Sequence, residues 1–360
     1  MITQKELSEI LGVHQTTISG VLSRRPGVRV SPETRRRILE AVEQYGYKPS
    51  LQARILRQGR SQLIGVLNFM PGNQGLEKML RTVEMLQEKG FSPLVNEIFR
   101  PERAMESLQL FLDLKVSGVI LKSLPRPIAD QLKKVLLEMP VPAVCVEGAY
   151  IEGLPWVYPD KAGAMEELTL GLIGKGYRRL ALMPSWKAGS VPVPNYSHAQ
   201  ELTRGFQAAV EKSVHRLESV EIIRKLVVSQ ENDPSERNFC NGRETTRQLI
   251  AERRNLPEVL ICNDDPWALG AMTACFEAGI KVPAEIALTG FGNSQAGRFS
   301  PIALTTVNQP LGEMIRRAVS ILCAAIEART KPEPGMIKVP PCEVIYRQST
   351  RVVTDEQESV

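Results

Sequence analysis

The first sixty residues constrain the fold most. Residues 4–27 read QKELSEILGVHQTTISGVLSRRPG and residues 31–50 read SPETRRRILEAVEQYGYKPS. Thr3 and Glu6 have the spacing of a capping box, which opens a helix carrying Leu7, Ile10 and Leu11 on one stripe. Gly12 supplies a turn and Val13 packs beneath it. A second helix spans roughly 15–22, with Ile18, Val21 and Leu22 facing inward. Ser31 caps a third helix, Pro32 sits in its first turn, Ile38, Leu39 and Val42 close the core, and Gly46 ends it. Helices this short persist only by packing on one another. The second helix then shows Gln15, Thr16, Ser19 and Gly20 to solvent. A compact basic unit of this kind is shaped to lay one helix in a DNA groove.

Charge is distributed accordingly. Residues 1–60 hold eleven Lys/Arg against five Asp/Glu, a balance of +6, while the remaining 300 hold 34 against 35. The basic excess is confined to the segment that would face phosphates. A chain of 360 residues needs more than one core, and 43% hydrophobic with 24% charged residues is ordinary for globular domains. No run of eighteen apolar residues suggests a membrane span, and Met1 leads into a polar helix, unlike a secretion signal. The expected place is therefore the cytoplasm. Six scattered cysteines without a C-x-x-C pair read as free thiols, with no metal site and no cofactor.

From residue 62 onward, strand and helix patterns alternate. Strands are expected at 62–69, 92–99, 116–123, 141–148, 178–185, 220–228, 257–265 and 285–291. Helices are expected at 76–89, 102–114, 128–139, 164–175, 203–212, 268–278 and 309–329. This alternation implies parallel sheets covered by helices, and its two successive sets imply two lobes with a cleft between them.

The segment GVHQTTISGVLS followed by PGVRVSPETRRRILEAVEQYGYKPS resembles the DNA-binding domain of the lac repressor/galactose repressor family. The resemblance implies that Gln15, Thr16 and Gly20 read base edges while His14, Thr17 and Ser19 anchor phosphates. Gln pairs well with adenine, and Thr bonds or touches a thymine methyl. Two positions depart from the family: His14 replaces the usual Ser at the helix cap, and Gly20 replaces the usual Arg. PSLQARILRQGRSQ resembles the family's hinge helix. That match implies Leu56 as a wedge between base pairs, Ala53 at the groove floor, and Arg54 and Arg57 on phosphates or the groove. A plain linker is the alternative.

The blocks GVILK, GYRRLALM, RGFQAAV, VLICNDDPWALGAM, EAGIKVPAEIALTGF and SPIALTTVNQP resemble the family's effector domain, in order. The implied fold is an N-terminal all-α helix-turn-helix domain (1–47), a hinge (48–61), and an α/β periplasmic-binding-protein-like domain of two Rossmann-like lobes (62–346). The expected partition gives the first lobe 62–159 and 293–308 and the second 160–292 and 309–346. A polar tail (347–360) follows. Many relatives carry an Arg where this chain has Leu202, an Asp where it has Gly292, and Asn-Pro-Phe-Phe where it has Asn73 to Leu76. The usual polar clamp for a sugar is thus largely missing, which disfavours an ordinary pyranose. Candidate effector contacts are Asn73, Trp186, Tyr196, Asn263, Asp264 and Asn293, with Asn263 and Asp264 alternatively only capping the next helix. Residues 185–200 are Pro-rich and irregular, a candidate cleft rim.

The expected function is sequence-specific DNA binding by a homodimer on a near-palindromic double-stranded operator, with repression tuned by a small-molecule effector that is sugar-related or of unknown identity. Activation, or regulation without an effector, are the alternatives. The heptad tail of tetrameric relatives is missing, which favours a dimer. A solute carrier would replace the DNA module with an export signal. Only three histidines exist, and no G-x-S-x-G, P-loop or metal-spaced cluster appears, so an enzyme is disfavoured.

Overall fold

The computed structural model describes residues 2–22, 30–47, 61–69, 73–97, 103–184, 198–223, 234–252 and 256–350. It divides into two compact units, 1–61 and 62–360. In the first, helices α1 (Gln4–Leu11), α2 (Gln15–Leu22) and α3 (Pro32–Gln44) pack around Leu7, Ile18, Val21, Ile38, Ala41 and Tyr47. The capping box forms, with the Thr3 amide donating to Glu6 Oε2 (2.7 Å) and the Glu6 amide to Thr3 Oγ1 (3.3 Å). Gly12 adopts φ +62°, a left-handed turn that costs glycine nothing. Side chains then fix the angle between helices: Gln4 donates to the Gln15 carbonyl (2.7 Å) and Arg37 to the Leu11 carbonyl (3.3 Å). Ile10 and Leu39, expected inside, are about half exposed; Ala41 and Tyr47 fill the core instead. Three short helices enclose too little volume for every residue of each stripe.

In the second unit the first sheet has six strands: β1 (Leu63–Asn68), β2 (Ser92–Glu97), β3 (Gly118–Lys122), β4 (Ala143–Val146), β5 (Pro155–Tyr158) and a late strand, Gly335–Lys338. The late strand pairs with β5, and the order runs from it through β5, β4, β3 and β1 to β2, all parallel. Both faces are covered, which is why the inner strands β1, β3 and β4 are apolar nearly throughout, while the edge strands β2 and Gly335–Lys338 are mixed. Helices α5 (Arg103–Asp113) and α6 (Arg126–Glu138) bury Leu108, Phe111, Leu132 and Leu136 on one face. Helix α4 (Asn73–Glu88) and the helix Leu311–Ala328 bury Met79, Leu86, Met314 and Leu322 on the other.

The second lobe is built on β6 (Arg179–Met183), β7 (Ser219–Ile222), β8 (Val259–Cys262) and β9 (Ala287–Thr289), parallel in the order β7-β6-β8-β9. Helices α7 (Lys161–Gly174) and α8 (His198–Ser213) cover one face through Met165, Leu168, Leu202 and Phe206. Helices α9 (Pro234–Glu252) and α10 (Asp265–Glu277) cover the other through Leu249, Trp267, Ala271 and Cys275. The last pair approaches backbone to backbone. A Cβ on Gly242 would fall 2.2 Å from the Trp267 carbonyl oxygen, and one on Gly270 would fall 2.0 Å from that of Phe239.

The lobe partition differs from the expected one. The chain leaves the first lobe after β5 and returns at helix α12 (Leu311–Ala328), not at residue 293. Helix α11 (Gln295–Phe299) packs on α10, and strand β10 (Thr306–Asn308) belongs to the second lobe, where Val307 joins the core. Strand β11 (Gly335–Lys338) completes the first sheet, and β12 (Glu343–Ile345) crosses back to pair antiparallel with β10. The amphipathic pattern of α12 defines a buried face without saying which sheet it covers. The polar tail also begins later than expected. Ser349 and Thr350 are buried, with Ser349 Oγ donating to the Leu288 carbonyl (2.6 Å) and accepting from the Thr305 amide (2.8 Å). Their hydroxyls satisfy backbone groups, a role that polarity alone hides. All six cysteines are free, and five are buried.

Candidate DNA-reading helix and interlobe cleft

At the start of α2, His14, Gln15 and Thr16 are exposed in sequence, while Thr17 and Ser19 are partly covered. His14 occupies the cap position: the Thr16 amide donates to His14 Nδ1 (3.3 Å), and the Thr17 amide to the His14 carbonyl (2.9 Å). Thr16 Oγ1 lies 2.8 Å from the same ring nitrogen. The imidazole therefore does the work expected of a Ser at this position. Gly20 departs from the expected outward row, because it is buried. With neither side chain nor open backbone it offers no reading surface. Ala53, Arg54, Leu56 and Arg57 lie outside the described residues.

The cleft is floored by the carboxyl ends of the first sheet's strands, where open α/β sheets place their ligand sites. Ser123, Glu147 and Asn293 follow strands in left-handed conformations, φ +54°, +53° and +54°. Such residues cost of order 1–3 kcal/mol each and gather at functional sites. Gly148 comes next (φ +66°), where a Cβ would fall 2.5 Å from the Leu124 amide nitrogen. A cavity of about 160 Å³ opens here, lined by Ser123, Glu147, Tyr158, Lys161, His198 and Glu201 among others. Residues of both lobes face it.

Glu147 organises the floor. Its Oε2 accepts from Lys78 Nζ (2.5 Å), and its Oε1 lies 3.3 Å from Lys161 Nζ. Burial would raise this carboxyl, but the two ammonium groups hold it well below the usual carboxylate range. Lys122 is 1% exposed, and its Nζ has no hydrogen-bond partner among the described residues. Burial, with Lys78 beside it, pushes Lys122 down to about 8. His198 Nε2 lies 3.0 Å from the Asn263 carbonyl, an acceptor only, so Nε2 carries the proton and Nδ1 the lone pair. Burial and Lys161 push His198 down to about 3, which keeps it neutral. Among the described residues no group of three or more His, Cys, Asp or Glu could hold a metal ion.

The expected effector contacts fare differently. Asp264 caps α10, accepting from the Trp267 amide (2.9 Å) and from Asn238 Nδ2 (2.6 Å). Asn293 is held between Arg347 Nη2 (2.6 Å) and Asn308 (3.2 Å). Asn263 is buried, and its Oδ1 lacks a partner among the described residues. None of these three lines the cavity. Trp186 and Tyr196 lie outside the described residues, as does the expected rim up to residue 197, and the side chain of Asn73 is not described. Leu202, where the family resemblance implied an Arg on the ligand, lies in the second lobe's core. Sequence reasoning missed Glu147, Lys161, His198 and Glu201. The available signals were charged residues closing wholly apolar strands, in GVILK and AVCVE.

Residues 171–350 match the model of the periplasmic-binding-protein-like domain. Along nearly the whole chain, the protein is 24% identical to the HTH-type transcriptional repressor PurR of Histophilus somni strain 129Pt (98% of this chain, 100% of that protein). It is 25% identical to the PurR of Haemophilus influenzae strain PittEE, with the same coverage. Among solved structures, the lac repressor dimer bound to operator and the anti-inducer ONPF superposes with a TM-score of 0.78 at 20% identity, covering 98% and 99% of the two chains. A complex of the transcriptional regulator CelR with cellobiose gives 0.66 at 22% identity, covering 97% and 100%. The helical module, the two parallel-sheet lobes and these likenesses agree, and the chain belongs to the lac repressor/galactose repressor family of DNA-binding transcriptional regulators.

Proposed function

We propose that the protein acts as a homodimeric repressor on a near-palindromic operator, and that a small molecule in the interlobe cleft sets its DNA affinity. The observation that carries the reading is the exposed row His14, Gln15 and Thr16 on a short helix held rigidly by two neighbours, within the only strongly basic segment of the chain. Two copies place two such helices on two half-sites, because protein two-fold symmetry mirrors operator symmetry. An apolar hollow of about 760 Å³ between Phe239, Leu269, Met272, Phe276, Ile280 and Ile302 supports self-association. Phe276 is 84% exposed, and Leu76 and Leu80 on α4 are also open. Apolar surface of this extent marks an interaction site, and a second copy is the partner a symmetric DNA reader needs.

The effector acts only by preferring one arrangement of the lobes, and DNA affinity changes by that difference alone. Its site is the charged cavity of Glu147, Lys161 and His198. Gln15 and Thr16 read bases, Thr17 and Ser19 meet phosphates, and His14 positions them. The hinge roles of Ala53, Arg54, Leu56 and Arg57 belong to the same reading, and the place of action is the bacterial cytoplasm, at the nucleoid. Titration of a specific and an unrelated duplex with the parent protein, Gln15→Ala and Leu56→Ala tests this. Both variants are expected to lose affinity for the specific duplex and keep it for the other; equal losses on both would overturn the reading.

A further inference from the structure

Three carbonyls along the path from α1 into α2 accept from side chains. Arg37 Nη2 donates to the Leu11 carbonyl (3.3 Å), Ser8 Oγ to that of Val13 (2.7 Å), and Gln4 Nε2 to that of Gln15 (2.7 Å). Arg37 and Ser8 hold the turn, whereas Gln4 reaches α2 itself, at its first residue. Resting on the reading of Gln15 as a base contact, we infer that Gln4 is a positioning residue for DNA reading: its side chain fixes the start of α2 and with it the aim of Gln15.

The backbone of Gln4 is itself fixed. It is the first residue of α1, inside the capping box of Thr3 and Glu6. Its side chain is partly covered, while Gln15 is exposed. The bond between them adds little to the fold. In a helix the carbonyl of residue 15 already accepts from the amide four residues on, so Gln4 takes the second lone pair. Removing the Gln4 amide strands no buried acceptor, which keeps the loss of stability small. Its effect falls on geometry instead. Gln pairs with adenine through two parallel bonds, and such a contact tolerates misplacement of only about 0.5 Å and 10–20°. A phosphate contact carries no base identity and accepts more tilt, so Gln4 bears on discrimination between sequences and not on general DNA affinity. The neighbouring reader is held separately: Thr16 Oγ1 lies 2.8 Å from His14 Nδ1.

The test uses the full-length protein and two probes: the duplex that the parent enriches most from a random pool, and an unrelated duplex of equal length. Gln4→Met keeps a neutral side chain of similar length and helix propensity and removes the donor. It is expected to weaken binding to the selected duplex about fivefold, the range of one hydrogen bond, with the unrelated duplex and the melting temperature unchanged. In the double variant with Gln15→Ala the two losses should not multiply, because Gln4 acts through Gln15. Gln4→Lys, whose ammonium can donate to the same carbonyl, should raise both affinities and restore the ratio between them. Losses that multiply, or equal losses on both duplexes, would make Gln4 a DNA contact of its own. A lowered melting temperature with the ratio intact would make it a plain support of the fold. Each of these overturns the positioning role. A pool without an enriched duplex, or Gln15→Ala binding both duplexes like the parent, would refute base reading by Gln15 and this role with it. A clear loss from Gln15→Ala with none from Gln4→Met would refute the positioning role alone.

Discussion

Lys78 Nζ on α4 and Glu147 Oε2 after β4 meet 2.5 Å apart, with side chains only 2% and 4% exposed. A buried pair is costly to break because the survivor is left charged in a poorly solvating interior. Glu147 faces both Lys78 and Lys161, so its loss strands two ammonium groups. Glu147→Gln is therefore expected to destabilise the fold by about 3–5 kcal/mol, and Lys78→Met by less, in urea unfolding at neutral pH. The carboxyl is lowered in the folded state, so its contribution is present above the unfolded value of 4.5 and is lost as pH falls below it. The gap between parent and Glu147→Gln should narrow in acid. A larger loss from Lys78→Met would contradict this ranking.

His14 substitutes for a hydroxyl cap on α2. His14→Ala is expected to lower stability of the helical module by about 1 kcal/mol, the usual value of an N-cap, and His14→Ser to restore it. Because the cap aligns Gln15 and Thr16, operator affinity should follow the same order. Equal affinities for the Ala and Ser variants would show that the imidazole contacts DNA directly.

Asp264 is an α10 cap whose carboxyl is pushed up to about 7, chiefly by burial, with Asp265 adding to the effect. A raised folded pKa means a contribution complete below the unfolded value, about 3.8, and lost as pH rises through 7. Asp264→Asn still accepts from the Trp267 amide, with Asn238 turned to present its oxygen, but cannot ionise. Its stability should fall less than the parent's between pH 4 and 7, by a difference on the order of a few kcal/mol. Part of the slope remains because Asp265 is shifted in the same direction. Parallel curves for parent and variant would refute the assignment.

Phe276 on α10 and Phe299 on α11 stand 84% and 77% exposed. Phe276→Glu is expected to weaken self-association in sedimentation equilibrium by about tenfold or more, as loss of a buried aromatic anchor does. Operator binding should then require a higher protein concentration. An unchanged dimer constant would place the interface elsewhere.

The helical module was legible because its signals are local: the Thr3 capping box, Gly12 and the Leu7, Ile18 and Ile38 stripe all appear where expected. Central parallel strands such as β1, β3, β4 and β8 were legible for the same reason, as continuous apolar runs, whereas β5 and β11 were not expected. Helix α9 was not expected at all. Its sequence, PSERNFCNGRETTRQLIAE, is polar, and beside Leu249 it packs through Asn241, Thr245, Thr246 and the backbone at Gly242, which form no continuous apolar stripe. The cleft was least legible. Lys78, Lys122, Glu147 and His198 are far apart in the chain, and only strand pairing and the lobe crossing bring them together. Asn263 and Asp264 stood out as a motif, yet Asp264 is used as a cap and neither lines the cavity.

The most direct test of the account is selection of duplexes from a random pool by the purified full-length protein without added ligand. A two-fold symmetric site is expected, with two half-sites about one helical turn apart and preferred bases that change with Gln15→Ala. Enrichment of a single asymmetric half-site, or of no sequence at all, would contradict this.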